Sequence, residues 1–81
     1  MTTANGQPRI LVVEDDAAVR NLIATALDSY GYARVVAVTG REAIARAATD
    51  NPDLVLLDLG LPDIDGVEVV RSIRGGSQMP I

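Results

Sequence analysis

Ile10-Leu11-Val12-Val13-Glu14-Asp15-Asp16 is a short apolar run that ends in three acids. Four apolar residues in a row without alternation, three of them β-branched, suit a strand covered on both faces, as in a helix-flanked parallel sheet. Beyond Asp16 the spacing changes. Val19, Leu22, Ile23, Ala26, Leu27 and Tyr30 recur at i, i+3, i+4 and i+7, which predicts a helix with one apolar stripe, ended by Gly31.

The same alternation of patterns repeats twice more. Ala33 to Val38 reads as a second strand, followed by Thr39 and Glu42, spaced as the capping box of a second helix. Ile44, Ala47 and Ala48 form its inward face, and Asn51-Pro52 stops it. Leu54-Val55-Leu56-Leu57 makes a third strand. Leu59-Gly60-Leu61-Pro62-Asp63-Ile64-Asp65-Gly66 is then a loop, with Asp65 and Glu68 as a capping pair for a third helix running to about Arg74. Gly75-Gly76-Ser77 breaks that helix, and Met79-Pro80-Ile81 reads as the opening of a fourth strand. Residues 1–8 are polar, lack the charged and apolar regions of a signal peptide, and are expected to form a disordered tail. The expected domain is therefore residues 9–81, in the order β-α-β-α-β-α, with parallel strands joined by right-handed crossovers.

Composition narrows the function. The 81 residues allow one small domain, which buries only about 60% of its unfolded surface. Seven Arg and no Lys stand against eleven acids, a net charge of -4 that gives no basic surface for nucleic acid or anionic lipid. The longest apolar runs fall far short of the roughly 20 residues of a membrane-spanning helix, so the expected location is the cytoplasm. With no Cys and no His, any site chemistry rests on carboxylates.

Those carboxylates gather where the topology matters. Glu14, Asp15 and Asp16 follow the first strand and Asp58 follows the third, and ligands of open α/β sheets bind outside the carboxyl ends of the strands. Grouped acids disfavour one another's ionisation unless a cation sits among them. Oxygen donors alone suit a hard ion such as Mg²⁺. An acid after a strand also caps a helix, and Asp16 is assigned that role. One cap leaves Glu14, Asp15 and Asp58 to be explained as a site. Neither the P-loop pattern nor the dinucleotide-binding glycine pattern is present. A haloacid-dehalogenase-like phosphatase would need Asp-x-Asp, where this chain has Asp58-Leu59-Gly60.

Taken together, Ile10 to Asp16, Leu56-Leu57-Asp58 and Leu61-Pro62-Asp63-Ile64-Asp65-Gly66 resemble the receiver domain of two-component response regulators. The resemblance extends from Arg9 over the rest of the chain. It implies a flavodoxin-like sheet with helices on both faces and strand order 2-1-3-4-5. It also implies that Asp58 is the phosphoacceptor, Asp15 a direct Mg²⁺ ligand, Glu14 a second acid acting partly through water, and the Gly60 carbonyl a further ligand. The implied phosphoryl donor is a phosphohistidine on a sensor histidine kinase, and the implied role is a switch, not an enzyme, controlling a C-terminal DNA-binding output domain. The run Asp58 to Asp63 further resembles the potassium-transport (Kdp-type) regulators within that family.

The chain departs from the family pattern in one respect. Complete receivers have five strand–helix units, and here the pattern stops after the third, before the hydroxyl residue and the lysine that contact the phosphoryl group. A sheet left open there is expected to self-associate through its bare edge or by swapping elements. The alternative function is a pseudo-receiver, serving only for interaction or dimerisation.

Overall fold

The computed structural model describes residues 6–75 and 80–81. Three strands, β1 (Arg9–Val13), β2 (Ala33–Ala37) and β3 (Leu54–Leu57), alternate with three helices, α1 (Ala17–Ser29), α2 (Gly40–Asp50) and α3 (Gly66–Arg74). The sheet is parallel in the order β2-β1-β3, as a flavodoxin-like fold requires. Val13 lies opposite Ala37 on one side and Leu57 on the other, so all three strands finish at one level.

Burial follows from that central position. Leu11, Val12 and Val13 are at most 1% exposed, which is why β1 reads as an unbroken apolar run. Leu11 and Val13 join Ala37, Ala43, Ala47, Val55, Val69 and Ile73 in a core beneath α2 and α3. The alternate residues Ile10 and Val12 are buried on the opposite face, where α1 packs against β1 and β2.

Local chemistry ends each helix. At α1 the N–H of Tyr32 donates to Leu27 and that of Gly31 to Asp28, with Gly31 at φ +79°, the left-handed turn expected of a glycine stop. Asn51 closes α2 in the same left-handed region, φ 49°. No helix among the described residues is long and apolar enough to cross a membrane.

Five expectations need correction. On α2 the inward face runs through Ala43, Ile44 and Ala47, whereas Ala48, expected to face inward, is exposed. The face that α1 turns inward runs through Ile23, Ala24 and Leu27, while Val19, Leu22 and Tyr30 stand 43%, 71% and 78% exposed. Periodicity shows that a helix has an apolar stripe, but the close approach allowed by Ala24 selects which edge of the stripe meets the sheet. Strand β2 stops at Ala37, because the Val38 N–H turns to the Glu42 carboxylate at 2.8 Å. That bond also changes the capping box of α2: Thr39 Oγ1 accepts from the Glu42 N–H at 3.1 Å, but Glu42 reaches back one residue further than Thr39. At α3, Asp65 caps by accepting from the Val67 N–H, whereas Glu68 pairs with Arg71 one turn on instead of returning to the cap.

The ends of the chain bear on two further expectations. Of the tail foreseen over residues 1–8, residues 1–5 lie outside the described residues; backbone pairing begins at Pro8, whose carbonyl accepts from Ala33 at 2.9 Å. Of the fourth-strand opening at Met79-Pro80-Ile81, Met79 lies outside the described residues. The Pro80 carbonyl accepts the Val55 N–H at 2.9 Å, and Ile81 packs on the core. The outer edge of β3 is thus met at that rung.

Candidate functional site

Because β1 and β3 are neighbours in register, the first residue after each emerges at the same mouth of the sheet. The Asp58 N–H extends the ladder to Val13 O at 3.0 Å, and the Glu14 N–H does the same to Ala37 O at 3.1 Å. These two bonds fix the backbone from which both acids project. Glu14, Asp15 and Asp58 each offer a carboxylate oxygen within 4.8 Å of the others. The three acids selected from sequence are therefore brought together.

Their surroundings differ. Glu14 is buried, Asp58 half-buried and Asp15 exposed. Burial pushes the Glu14 carboxyl above its usual range; the Asp16 N–H at 3.2 Å opposes that rise, and the negative charge of Asp58 and Asp15 reinforces it. The Asp58 Oδ1 accepts from the Gly60 N–H at 3.0 Å, a tight turn that aims the carboxylate, and a side-chain hydrogen bond links Asp58 to Glu14. No Arg among the described residues forms a salt bridge to any of the three. A group of like charges without such a bridge is an arrangement that a bound cation would stabilise.

Asp16 lies one residue beyond Asp15 and does something else. Its carboxylate accepts from the N–H groups of Ala18 and Val19 at 2.9 and 3.1 Å, capping α1 as the sequence reading assigned. Beside the acids, Val13, Ile23, Leu56 and Leu57 join Glu14 and Asp58 in lining a cleft of about 310 Å³. Its apolar walls lower the dielectric next to the two carboxylates.

Two residues near the site escaped sequence reasoning. Arg20 donates to the carbonyls of Glu14 and Asp15 at 3.0 and 3.4 Å, bracing the β1–α1 loop through its backbone without forming a salt bridge to their carboxylates. An arginine one turn into a helix that follows an acidic loop was a usable signal. Asp63 crosses to α2, where its two oxygens accept from the N–H groups of Gly40 and Arg41 at 2.7 and 2.9 Å. No local spacing announces a cap that lies 23 residues away.

With this geometry in place, the comparisons with known proteins are specific. Residues 10–81 match the response regulator receiver domain. The chain belongs to that family. Among its relatives, the KDP operon transcriptional regulatory protein KdpE of Escherichia coli is 44% identical over 72 residues, covering 89% of this chain and 32% of KdpE. Response regulator MprA of Mycolicibacterium vanbaalenii is 47% identical over 74 residues, covering 90% of this chain and 32% of MprA. Among solved structures, a chain in the complex of histidine kinase ThkA with response regulator protein TrrA superposes with a TM-score of 0.82 at 39% identity, covering 88% of this chain and 61% of that one. This receiver chain spans about a third of the length of the curated relatives it matches. KdpE and MprA are similar to it to nearly the same degree, so the resemblance to Kdp-type regulators is shared with other response regulators.

Proposed function

We propose that this receiver is a phosphorylation switch in which Asp58 accepts a phosphoryl group beside Mg²⁺ held by Glu14, Asp15 and Asp58, with the Gly60 carbonyl as a further oxygen donor. The observation that carries the reading is the convergence of three carboxylates at the sheet mouth, none of them in a salt bridge among the described residues. An all-oxygen donor set suits a hard ion. Ligands around Mg²⁺ at about 2.1 Å lie at most about 4.2 Å apart. The carboxylate oxygens, within 4.8 Å of one another, are close to that span, so Glu14, Asp15 and Asp58 would hold the ion with only small side-chain adjustments.

When bound, the ion supplies positive charge that offsets the acids and the incoming phosphoryl oxygens. The chain's own residues do the rest. An Asp58 oxygen attacks phosphorus in line, forming an O–P bond as the P–N bond of a phosphohistidine breaks, and the histidine leaves with the electron pair and takes a proton. The Gly60 N–H holds the other Asp58 oxygen, so the attacking atom is already aimed. The reading makes the chain a phosphoacceptor and not an enzyme. Its partner is a sensor histidine kinase, as the complex of ThkA with TrrA exemplifies. Joined to a DNA-binding output domain, such a switch would control transcription, by analogy with the transcriptional regulatory protein KdpE. A cytoplasmic location fits that partner set. Exposed Leu22 and Leu56 favour self-association of the isolated chain, which light scattering would register as dimers or larger species.

Acetyl phosphate with Mg²⁺ tests the switch. The unaltered chain should gain the mass of one phosphoryl group slowly, only with the metal, and Asp58→Asn should gain none. Equal labelling of Asp58→Asn would remove Asp58 from the role. A chain that takes up neither Mg²⁺ nor phosphoryl would be a pseudo-receiver.

A further inference from the structure

The loop between β3 and α3 is pinned at both its base and its tip. At the base, the Gly60 N–H binds Asp58 Oδ1, and a Cβ added at Gly66 would stand 2.6 Å from Leu59 Cα, so entry and exit of the loop touch. At the tip, Asp63 and Ile64 are anchored on α2. The Asp63 carboxylate takes the N–H groups of Gly40 and Arg41, the two that Thr39 leaves over while it caps Glu42 and accepts the first helical bond from Ala43. Ile64 fills the space where Gly40 lacks a side chain: a Cβ there would meet Ile64 Cγ1 at 2.5 Å and Val69 Cγ2 at 2.8 Å. The Asp63 side chain is only 20% exposed. Burial raises its carboxyl's pKa, but the amides of Arg41 and Gly40 outweigh that and hold it below the usual range.

We propose that Asp63 is a positioning residue for the acidic centre, a strap that ties the loop carrying Gly60 to the N-terminus of α2 and thereby sets the Asp58 carboxylate for the metal. The inference rests on the metal reading above. With base and tip both fixed, the short span from Asp58 to Asp63 has little freedom, so releasing the tip loosens Asp58 and Gly60 without removing a ligand. Linkage makes the effect reciprocal: an ion that tightens the loop must also strengthen the Asp63 bonds to α2.

The experiment titrates Mg²⁺ alone into the full chain and into Asp63→Ala, Asp63→Asn and Thr39→Ala, following amide resonances. Asp63→Ala should weaken Mg²⁺ binding roughly tenfold, the scale of lost supporting contacts around a metal site. Asp63→Asn, which keeps an acceptor oxygen, should lose less. Thr39→Ala weakens the start of the same helix but leaves the strap, and should bind Mg²⁺ as the unaltered chain does. The Gly40 and Arg41 amides should shift with Mg²⁺ in the unaltered chain and not in Asp63→Ala. Equal affinities for the unaltered chain, Asp63→Ala and Asp63→Asn, or an equal loss in Thr39→Ala, would overturn the strap while sparing the metal reading. No Mg²⁺ binding by the unaltered chain would overturn the metal reading itself, and the strap's proposed role with it.

Discussion

Glu14, Asp15 and Asp58 share two loops with Asp16, Asp63 and Asp65, yet the two sets of acids meet opposite surroundings. Asp16 caps α1, Asp65 caps α3, and Asp63 covers the two amides at the start of α2 that its own cap leaves open. Each of these three faces the positive end of a helix and is satisfied by N–H donors. The other three face one another across the sheet mouth, each offering a carboxylate oxygen to a ligand. The contrast teaches that acid content does not mark a site; what marks it is charge that no salt bridge among the described residues offsets. Helix-end acids contribute to folding, whereas the buried Glu14 at the mouth is set against it by desolvation until something cationic arrives.

The largest way to break the contrast is at Asp15. Asp15→Asn should lower Mg²⁺ affinity by at least roughly tenfold while leaving thermal stability nearly unchanged, since the side chain is exposed. Calorimetric titration beside a melting curve measures both, and a melting temperature that falls while affinity holds would move Asp15 into the structural set.

Glu14 comes next, through pH. Its folded-state pKa is raised above the unfolded value, so the native chain holds this proton more tightly than the unfolded one does. Metal-free stability should therefore fall as pH rises from the unfolded pKa through the raised folded one, then level off. Mg²⁺ needs the carboxylate ionised, so affinity should climb across the same window. Glu14→Gln should flatten Glu14's part of the stability trend and abolish its part of the affinity trend. Denaturation at several pH values with and without Mg²⁺ checks this, and metal-free stability that climbs over that window would contradict the sign.

Smaller effects belong to the helix ends. Asp65→Ala should cost about 1 kcal/mol of stability, the usual value of an N-cap, with little change in Mg²⁺ affinity. Smallest of all is Arg71→Ala, which removes an exposed pair with Glu68 and should cost under about 0.5 kcal/mol; urea titration of both variants measures these losses.

Much of this contrast was legible before any coordinates. Glu14 and Asp58 could be placed at one crevice because β1 and β3 were readable as strands of one parallel sheet, whose ends lie together, and Asp16 could be set aside as a cap by its position before a helical pattern. The true orientation of α1 was not readable, because Leu22 and Ile23 are equally apolar and only packing decided that Ile23 turns inward while Leu22 remains exposed. Glu68 was paired with Asp65 by a spacing rule, and an arginine one turn away took it instead.

The amino-acid sequence by itself determined the kind and order of the elements, the parallel sheet, and the strand-end positions of the acids. Periodicity, caps and turn residues act over a few neighbours, and are written in the chain. Tertiary structure alone decided how closely the three carboxylates approach, within 4.8 Å, that Arg20 braces the loop behind them, and that Asp63 crosses to α2. Those contacts depend on strand register, helix rotation and loop closure, which are settled only when distant segments pack.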